Sequence, residues 1–320
     1  MTISNWRPTA TRETLELRAS LMQEIREYFA LRDVLEVETP ALSASGTTDT
    51  ALDALAVTAK SLPAARGFLQ TSPEYAMKRL LAAGSGDIYQ VCRVFRDGET
   101  GRWHEPEFTL LEWYRVGWDD RLLMAEVEEL LTRLLAPRRA LSGSASLRYW
   151  NVFHSVLGID SSTGETKIRE AITAHGIDVP ADIDSDAMLD LALSEIIAPS
   201  FDPRALTFLI DYPVSQASLA KIKNEDPPVA ARFEAFCNGI ELANGYAELT
   251  DAGEQRARFE ADLADRRAAD RPTPPLDEQF LAALASGLPD CAGVAVGLDR
   301  VVALAAGLDA VGAAVAFSHE

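Results

Sequence analysis

Two glutamates and an asparagine interrupt an otherwise apolar run at Gly239–Glu248. They are Glu241, Asn244 and Glu248. Burying a glutamate is costly unless it is paired or bound to a metal, and carboxylate oxygens are ligands that Mg²⁺ prefers. The two glutamates therefore indicate a cation site, and the alternative is that both are exposed carboxylates on a strand.

A second group of polar residues, Arg96–Phe108, connects two β-rich runs, Ile88–Phe95 and Pro106–Tyr114. The two runs predict an antiparallel hairpin with a long connection. A charged hairpin loop is most often simply solvated, so this loop gains interest only in combination with other motifs.

The third feature is the run Gly293–Arg300, where small residues alternate with valines. Small side chains at alternate strand positions leave room for a flat ligand against the backbone. Arg300 then places a planar cation at the start of an apolar helix, Val301–Leu308. Close packing of strands is the alternative explanation for the glycines and alanines.

The elements that must position these residues follow from hydrophobic periodicity. The pattern predicts helices at Glu13–Leu31, Tyr75–Ala83, Asp119–Leu135 and Ala252–Ala269. It predicts strands at Val34–Thr39 (stopped by Pro40), Leu206–Tyr212, Phe236–Ala243, Gly245–Leu249 and Gly293–Val296. Strands at both ends of a helical middle indicate an α+β fold with an antiparallel sheet flanked by helices.

Composition excludes several classes of protein. The 320 residues include 49 acidic and 30 basic side chains, for a net charge of −19. Such a polyanion is a poor partner for nucleic acid, so a role with tRNA is not expected. No apolar stretch is long enough for a membrane span, and the 3 cysteines lack metal-ligand spacing. We therefore expect a cytoplasmic protein.

In this order the motifs resemble the three signature motifs of class II aminoacyl-tRNA synthetases. They are the helix and strand before Pro40, the Arg96–Phe108 segment, and Gly293–Arg300. The segments Thr71–Glu74, Leu111–Tyr114 and Glu241–Gly245 resemble the lysyl branch. The resemblance implies the class II catalytic fold over residues 1–320, with a helical insertion at roughly 140–204, and a homodimer that pairs through the first motif.

No segment resembles the anticodon-binding domain of lysyl-tRNA synthetases. The chain is therefore similar to the ligases that attach lysine or β-lysine to a lysine of translation elongation factor P, a family that carries alanine at the position of Ala295. The open alternatives are a minimal synthetase that acts on RNA and a sensor that binds lysine and ATP without reacting.

The resemblance also implies ATP and Mg²⁺ as cofactors and assigns catalytic roles to Arg96 and Arg300. Arg96 would hold the α-phosphate and stabilise the transition state. Arg300 would pack over the adenine and reach the γ-phosphate, with Phe108 on the other face of the ring. The rest of the implied ATP site comprises Asp97, Gly98, Glu99, His104, Glu105, Glu241, Leu242 and Gly297. The implied Mg²⁺ ligands are Glu241 and Glu248, of which Glu248 is the weaker assignment.

For the amino acid, the resemblance places Glu74 at the amine nearer the carboxylate, and Glu248 with Tyr114 at the distal amine. The rest of the implied pocket comprises Ser72, Pro73, Glu112, Asn244 and Ala295. Two positions depart from the family pattern. Gly98 stands where the adenine-reading glutamate is usual, which makes Glu99 the expected substitute, and Glu105 replaces an asparagine.

Overall fold

The computed structural model describes residues 6–62 and 65–319. Its helices are α1 (Arg12–Ala30), α2 (Glu74–Ala82), α3 (Asp120–Leu135), α4 (Tyr149–Leu157), α5 (Glu165–Ala174), α6 (Ser185–Ala192), α7 (Ala252–Ala268), α8 (Glu278–Gly287) and α9 (Leu298–Ala306). Its strands are β1 (Leu35–Glu36), β2 (Leu42–Ser43), β3 (Ala56–Thr58), β4 (Arg66–Leu69), β5 (Ile88–Phe95), β6 (Glu107–Val116), β7 (Gly143–Arg148), β8 (Ala205–Tyr212), β9 (Ile222–Lys223), β10 (Val229–Cys237), β11 (Ile240–Ala247) and β12 (Cys291–Gly297).

A nine-stranded sheet forms the centre of the fold, in the order β1-β5-β6-β12-β11-β10-β8-β7, with β9 also paired to β10. The central pairs are antiparallel, whereas β1 runs parallel to β5 and β7 parallel to β8. Strands β2, β4 and β3 form a small separate sheet. The expected α+β fold is confirmed, with parallel strands added at both edges.

One face of the large sheet is sealed by α1, α3 and α9. Helix α1 is capped by Thr11, whose side chain accepts from the Thr14 amide, and it buries Leu21, Ile25 and Phe29. These side chains join the hydrophobic cluster that α3 and α9 form against β6, β11 and β12. The functional residues therefore have to face the other side of the sheet.

The opposite face is covered by two separate hydrophobic clusters. Helices α2, α7 and α8 form one of them around Met77, Phe259 and Phe280. Helices α4–α6 form the other against β8 and β10, around Tyr149 and Phe153. A cavity of about 2210 Å³ lies between them over the middle of the sheet. No described helix is long and apolar enough to cross a membrane.

Three sequence predictions need correction. The predicted strand Phe236–Ala243 is broken by a turn at Asn238 and Gly239, whose φ angles are +57° and +72°. Asn-Gly is the strongest short hairpin signal, so β10 and β11 form a hairpin. The helix predicted from Val301 begins at Leu298, which brings Arg300 into its first turn. The supposedly helical stretch near 140–204 also contributes β7 to the main sheet.

Candidate active site

The floor of the cavity is made by small residues of β12. Val294 and Val296 point into the core beneath the sheet, so Gly293, Ala295 and Gly297 face the cavity by alternation. These small residues leave the sheet surface open, and the predicted space for a flat ligand is present.

Strand register brings the predicted substrate residues together. Ala295 pairs with Glu112 on β6 and with Asn244 on β11, so the three lie side by side across the sheet. Gly293 pairs in the same way with Tyr114 and Tyr246. A β-carbon at Gly293 would overlap the Tyr114 ring and the Glu248 carboxylate, which explains the glycine.

The pocket for the amino acid contains a buried cation that the sequence analysis did not single out. Lys78 on α2 has a side chain only 1% exposed, and its Nζ lies 2.5 Å from Glu74 Oε1 and 2.6 Å from Glu248 Oε2. The spacing of Glu74 and Lys78 by four residues on a helix was an available signal. Glu248 Oε1 has no hydrogen-bond partner among the described residues, so it can accept from a substrate ammonium.

Glu112 lies at the centre of a short chain of hydrogen bonds. Ser72 donates to its Oε2 and Tyr114 to its Oε1, both at 2.7 Å. Burial, reinforced by the charge of Glu74, raises the pKa of Glu112 to about 7. Burial likewise raises the pKa of Glu248 to about 8 against the opposing effect of Lys78. The pocket thus contains more carboxyl groups than cations. A bound cationic ligand would favour the ionised form of these carboxyls.

Arg96 faces the cavity from the end of β5. Its guanidinium carbon lies 5.0 Å from the centroid of the Phe108 ring, and its Nη1 donates to Glu99 Oε1 at 3.4 Å. Its Nε donates to the Thr71 carbonyl at 3.3 Å. The arginine and the aromatic ring predicted to hold ATP therefore lie together.

The loop after Arg96 explains one departure from the family pattern. Gly98 has a φ of +77°, a backbone conformation that favours glycine. A glutamate here would be strained, whereas Glu99 contacts Arg96 without that cost. The amide of Asp97 donates to the Asp53 carbonyl at 2.8 Å and anchors this turn.

Arg300 connects the third motif to the other two. Its Nη1 donates to the Glu241 carbonyl at 2.8 Å and lies 3.2 Å from Glu241 Oε2. Its Nη2 lies 2.8 Å from His104 Nε2. Burial and the charge of Arg300 lower the pKa of His104, so the neutral imidazole can accept from the guanidinium. Arg300, Glu241 and His104 form one polar wall of the cavity.

Two residues of the predicted ATP site line the cavity in different ways. Leu242 is 1% exposed and its side chain belongs to the core, because it alternates with the cavity-facing positions of β11. Only its backbone can contact a nucleotide. Glu105 accepts from the His319 amide at 3.0 Å, which ties it to the C-terminal segment. Pro73 is the N-cap residue of α2 and positions Glu74.

The predicted metal pair does not fit one ion. Glu241 lies on β11 and Glu248 just beyond its end, seven positions apart, and at ~3.3 Å per residue their backbones are about 23 Å apart. Glu248 is also held by Lys78. Burial, helped by the charge of Glu241, raises the pKa of Glu234 on β10, a nearby acid that the sequence did not indicate. No group of three potential ligands exists among the described residues, so an ion here would need ligands from the nucleotide phosphates, as Mg²⁺ often does.

Comparison with known proteins agrees with this arrangement. The family model "tRNA synthetases class II (D, K and N)" matches residues 2–320. Proteins named elongation factor P--(R)-beta-lysine ligase from Salmonella gallinarum and Salmonella paratyphi B are each 46% identical to the chain over 299 residues. The matched region covers 92% of this chain and 91% of each relative.

The chain belongs to the class II tRNA synthetase family. Within it, the chain belongs with the elongation factor P--(R)-beta-lysine ligases. Membership explains why one cavity combines a site for a nucleotide with an anionic pocket, and it makes the chain an ATP-dependent ligase of the AMP-forming type.

Proposed function

We propose that the protein activates lysine or β-lysine with ATP and transfers it to a lysine side chain of elongation factor P. The observation that carries this proposal is a single cavity with two ends. Arg96, Phe108 and Arg300 line the nucleotide end. Glu74 and Glu248 flank the buried Lys78 at the other end, where an amino acid with two ammonium groups would find complementary charge.

In the first step the amino-acid carboxylate attacks the α-phosphorus of ATP and pyrophosphate leaves. This displacement requires no protein nucleophile, because positioning of the reactants and stabilisation of the developing charge are sufficient. Arg96, stacked on Phe108, neutralises charge that develops on the α-phosphate. Arg300 contacts the nucleotide from the opposite wall.

Glu241, with phosphate oxygens of the nucleotide as the other ligands, is the best candidate to hold Mg²⁺. Bound there, Mg²⁺ would neutralise phosphate charge. This assignment replaces Glu248, which belongs to the amino-acid pocket through its contact with Lys78.

In the second step an amine attacks the carbonyl of the aminoacyl-adenylate. An amide bond forms, AMP leaves, and the amine loses a proton. The named relatives act on elongation factor P, which supports a lysine of that protein as the acceptor. The charge of −19 disfavours a polyanionic acceptor such as tRNA.

We further propose a cytoplasmic homodimer built from one catalytic domain per chain, with the segment near 140–204 as an insertion. Leu31 at the end of α1 is 76% exposed and Leu35 on β1 is 55% exposed. These apolar side chains lie in the first motif, which the family uses for pairing.

The test is to incubate the protein with ATP and either lysine or β-lysine, and to offer elongation factor P or bulk tRNA as acceptor. We expect mass spectrometry to show one added lysyl or β-lysyl group on elongation factor P and unmodified tRNA. Charged tRNA with unmodified elongation factor P would contradict the proposal. An Arg96→Ala variant, processed in parallel, controls for contaminating activity.

A further inference from the structure

Beyond the amino-acid pocket, the cavity extends between the sheet and α6, and a second group of acids lines this extension. Asp186 and Asp190 lie one helical turn apart on α6. Gln216 donates from its Nε2 to Asp190 Oδ1 at 2.9 Å, and Ser215 donates to Asp186 Oδ1 at 2.8 Å. These residues line the same cavity as the substrate residues.

The negative charge of this group is not balanced within the described part of the chain. Asp186 and Asp190 form no ion pair there, and the cation that acts on Asp190 is Arg232. Arg232 is already committed, since its Nη2 donates to Glu234 Oε1 at 2.6 Å and its Nη1 to the Gln216 carbonyl at 2.7 Å. Burial raises the pKa of Asp190 to about 6, as expected for a carboxyl short of positive charge.

A second observation concerns hydrogen bonding. Gln216 is only 9% exposed, and its Oε1 has no hydrogen-bond partner among the described residues. Tyr149 is fully buried, and its hydroxyl also lacks a hydrogen-bond partner among these residues. The charge that acts most strongly on this hydroxyl is that of Asp190. Buried polar atoms without partners are rare, and the Gln216 amide lies at these acids, since its Nε2 donates to Asp190.

A ligand for this place must carry positive charge and several donors. A primary ammonium meets both requirements, because it is a compact cation with three N–H donors and no acceptor. We propose that Asp186, Asp190 and Gln216 form a second subsite, which binds a primary alkylammonium group beside the amino-acid pocket.

The subsite borders the amino-acid pocket through Arg232, whose Nε donates to Asn244 Oδ1 at 3.3 Å. The inference rests on the proposed function, in which transfer requires two alkylamines in one cavity, that of the activated amino acid and that of the acceptor. The ammonium can come from the acceptor lysine or from a second free amino acid. The subsite binds the charged form before the amine loses its proton.

The experiment uses n-butylamine as the probe and compares Asp190→Asn with Glu195→Gln. Glu195 is an exposed acid that also lines the cavity, so its substitution makes the same charge change without touching the subsite. Ligand-observed NMR titration measures n-butylammonium affinity. We expect it to fall about tenfold in Asp190→Asn, the loss of a charged hydrogen bond, and to stay unchanged in Glu195→Gln.

Two enzymatic measurements identify the source of the ammonium. ATP–pyrophosphate exchange should give an unchanged KM for the amino acid in both variants. If the acceptor lysine occupies the subsite, kcat/KM for elongation factor P falls in Asp190→Asn alone. If a second amino acid occupies it, excess lysine inhibits wild-type exchange and Asp190→Asn relieves that inhibition.

Equal n-butylammonium affinity in wild type and Asp190→Asn would overturn the proposal and leave only water in the subsite. A parallel rise of the amino-acid KM would also overturn it, by assigning Asp190 to the amino-acid pocket. A Gln216→Met variant, which removes the acceptor without changing charge, repeats the test if Asp190→Asn fails to fold. Absence of exchange in the wild type would contradict the proposed function, whereas the binding titration still decides the subsite.

Discussion

Arg96 is the side chain on which adenylate formation should depend most. It lies against Phe108 and reaches into the cavity from the end of β5. We expect Arg96→Ala to reduce lysine-dependent ATP–pyrophosphate exchange by far more than tenfold, with the fold intact. A matched control is Arg93→Ala, an exposed arginine on the same strand, which should keep full exchange. Exchange within tenfold of wild type, about 1.4 kcal/mol in barrier, would remove Arg96 from the mechanism.

The carboxyls of the amino-acid pocket should make binding depend on pH. Burial raises the pKa of Glu112 to about 7 and that of Glu248 to about 8. Below these values each carboxyl holds a proton that must leave when a diammonium ligand binds, so affinity rises with pH. We expect the KM of the amino acid to fall from about pH 6 to about pH 9 and then to level off.

Calorimetry in two buffers of different ionisation enthalpy should detect the released protons. Glu112→Gln should remove the lower of the two titration steps. A KM that is flat across this range, with no proton release, would show that both carboxyls are already ionised.

Ala295 is the position at which the choice of lysine isomer is most readily tested. Its methyl group faces the cavity between Glu112 and Asn244. Removing one methyl group from a tight pocket changes discrimination by ~1–3 kcal/mol. We therefore expect Ala295→Gly to raise kcat/KM for α-lysine relative to β-lysine by roughly ten- to a hundredfold.

Ala292→Gly is the control, because this buried alanine belongs to the core on the other face of the same strand. It should lower the melting temperature and leave the isomer ratio unchanged. An unchanged ratio in Ala295→Gly as well would reduce Ala295 to a packing role.

At the scale of elements, Lys78 links helix α2 to the end of β11 through ion pairs. Its ammonium is shared between Glu74 on α2 and Glu248 just beyond the strand. Lys78→Met would leave these buried carboxylates without a cation, and we expect it to cost about 3–5 kcal/mol of unfolding free energy. Adding Glu248→Gln should recover part of that loss, because less charge remains uncompensated.

Urea denaturation of the two single variants and the double variant measures this coupling. Arg79→Met changes the neighbouring exposed residue and should stay within about 0.5 kcal/mol of wild type. Strictly additive losses would mean that Lys78 and Glu248 are not coupled.

The hairpin of β10 and β11 places polar side chains on the cavity-facing side of the sheet, beside the small residues of β12. Its Asn238–Gly239 turn and a register shift between Ala235 and Phe236 together pair Glu234 with Asn244 and Arg232 with Tyr246. The cavity-facing residues of β10 therefore lie in line with the cross-strand rows of side chains that begin on β6 and β12. A shift of one residue would move all of them to the core face.

At the scale of the whole molecule, the first motif leaves apolar side chains at the surface. Leu31 and Leu35 are exposed, although Phe29 and Val34, which are close to them in sequence, are buried. We expect light scattering at micromolar concentration to give twice the single-chain mass of 34.8 kDa, as closed two-fold dimers are the commonest oligomers. Leu35→Asp should shift the protein toward the monomer. A wild-type mass of 34.8 kDa would refute the dimer.

Local signals in the sequence determined several features of the fold and of the candidate site. The alternation of Gly293, Ala295 and Gly297 with valines specified which face of β12 is open, because side chains of a strand alternate with a period of two. The charged segment after Arg96 was correctly placed between two paired strands. The order of these motifs was sufficient to identify the family, which the comparisons confirm.

Only the tertiary structure decided which residues meet. Glu241 and Glu248 are close in sequence, yet an extended strand separates them in space. Glu248 instead forms an ion pair with Lys78, which lies on a helix distant in sequence. The charge of Glu241 acts on Glu234 because an Asn-Gly turn folds β10 back along β11. The physical reason is that strand pairing and helix docking are long-range, and the charge balance of a buried pocket depends on every element that reaches it.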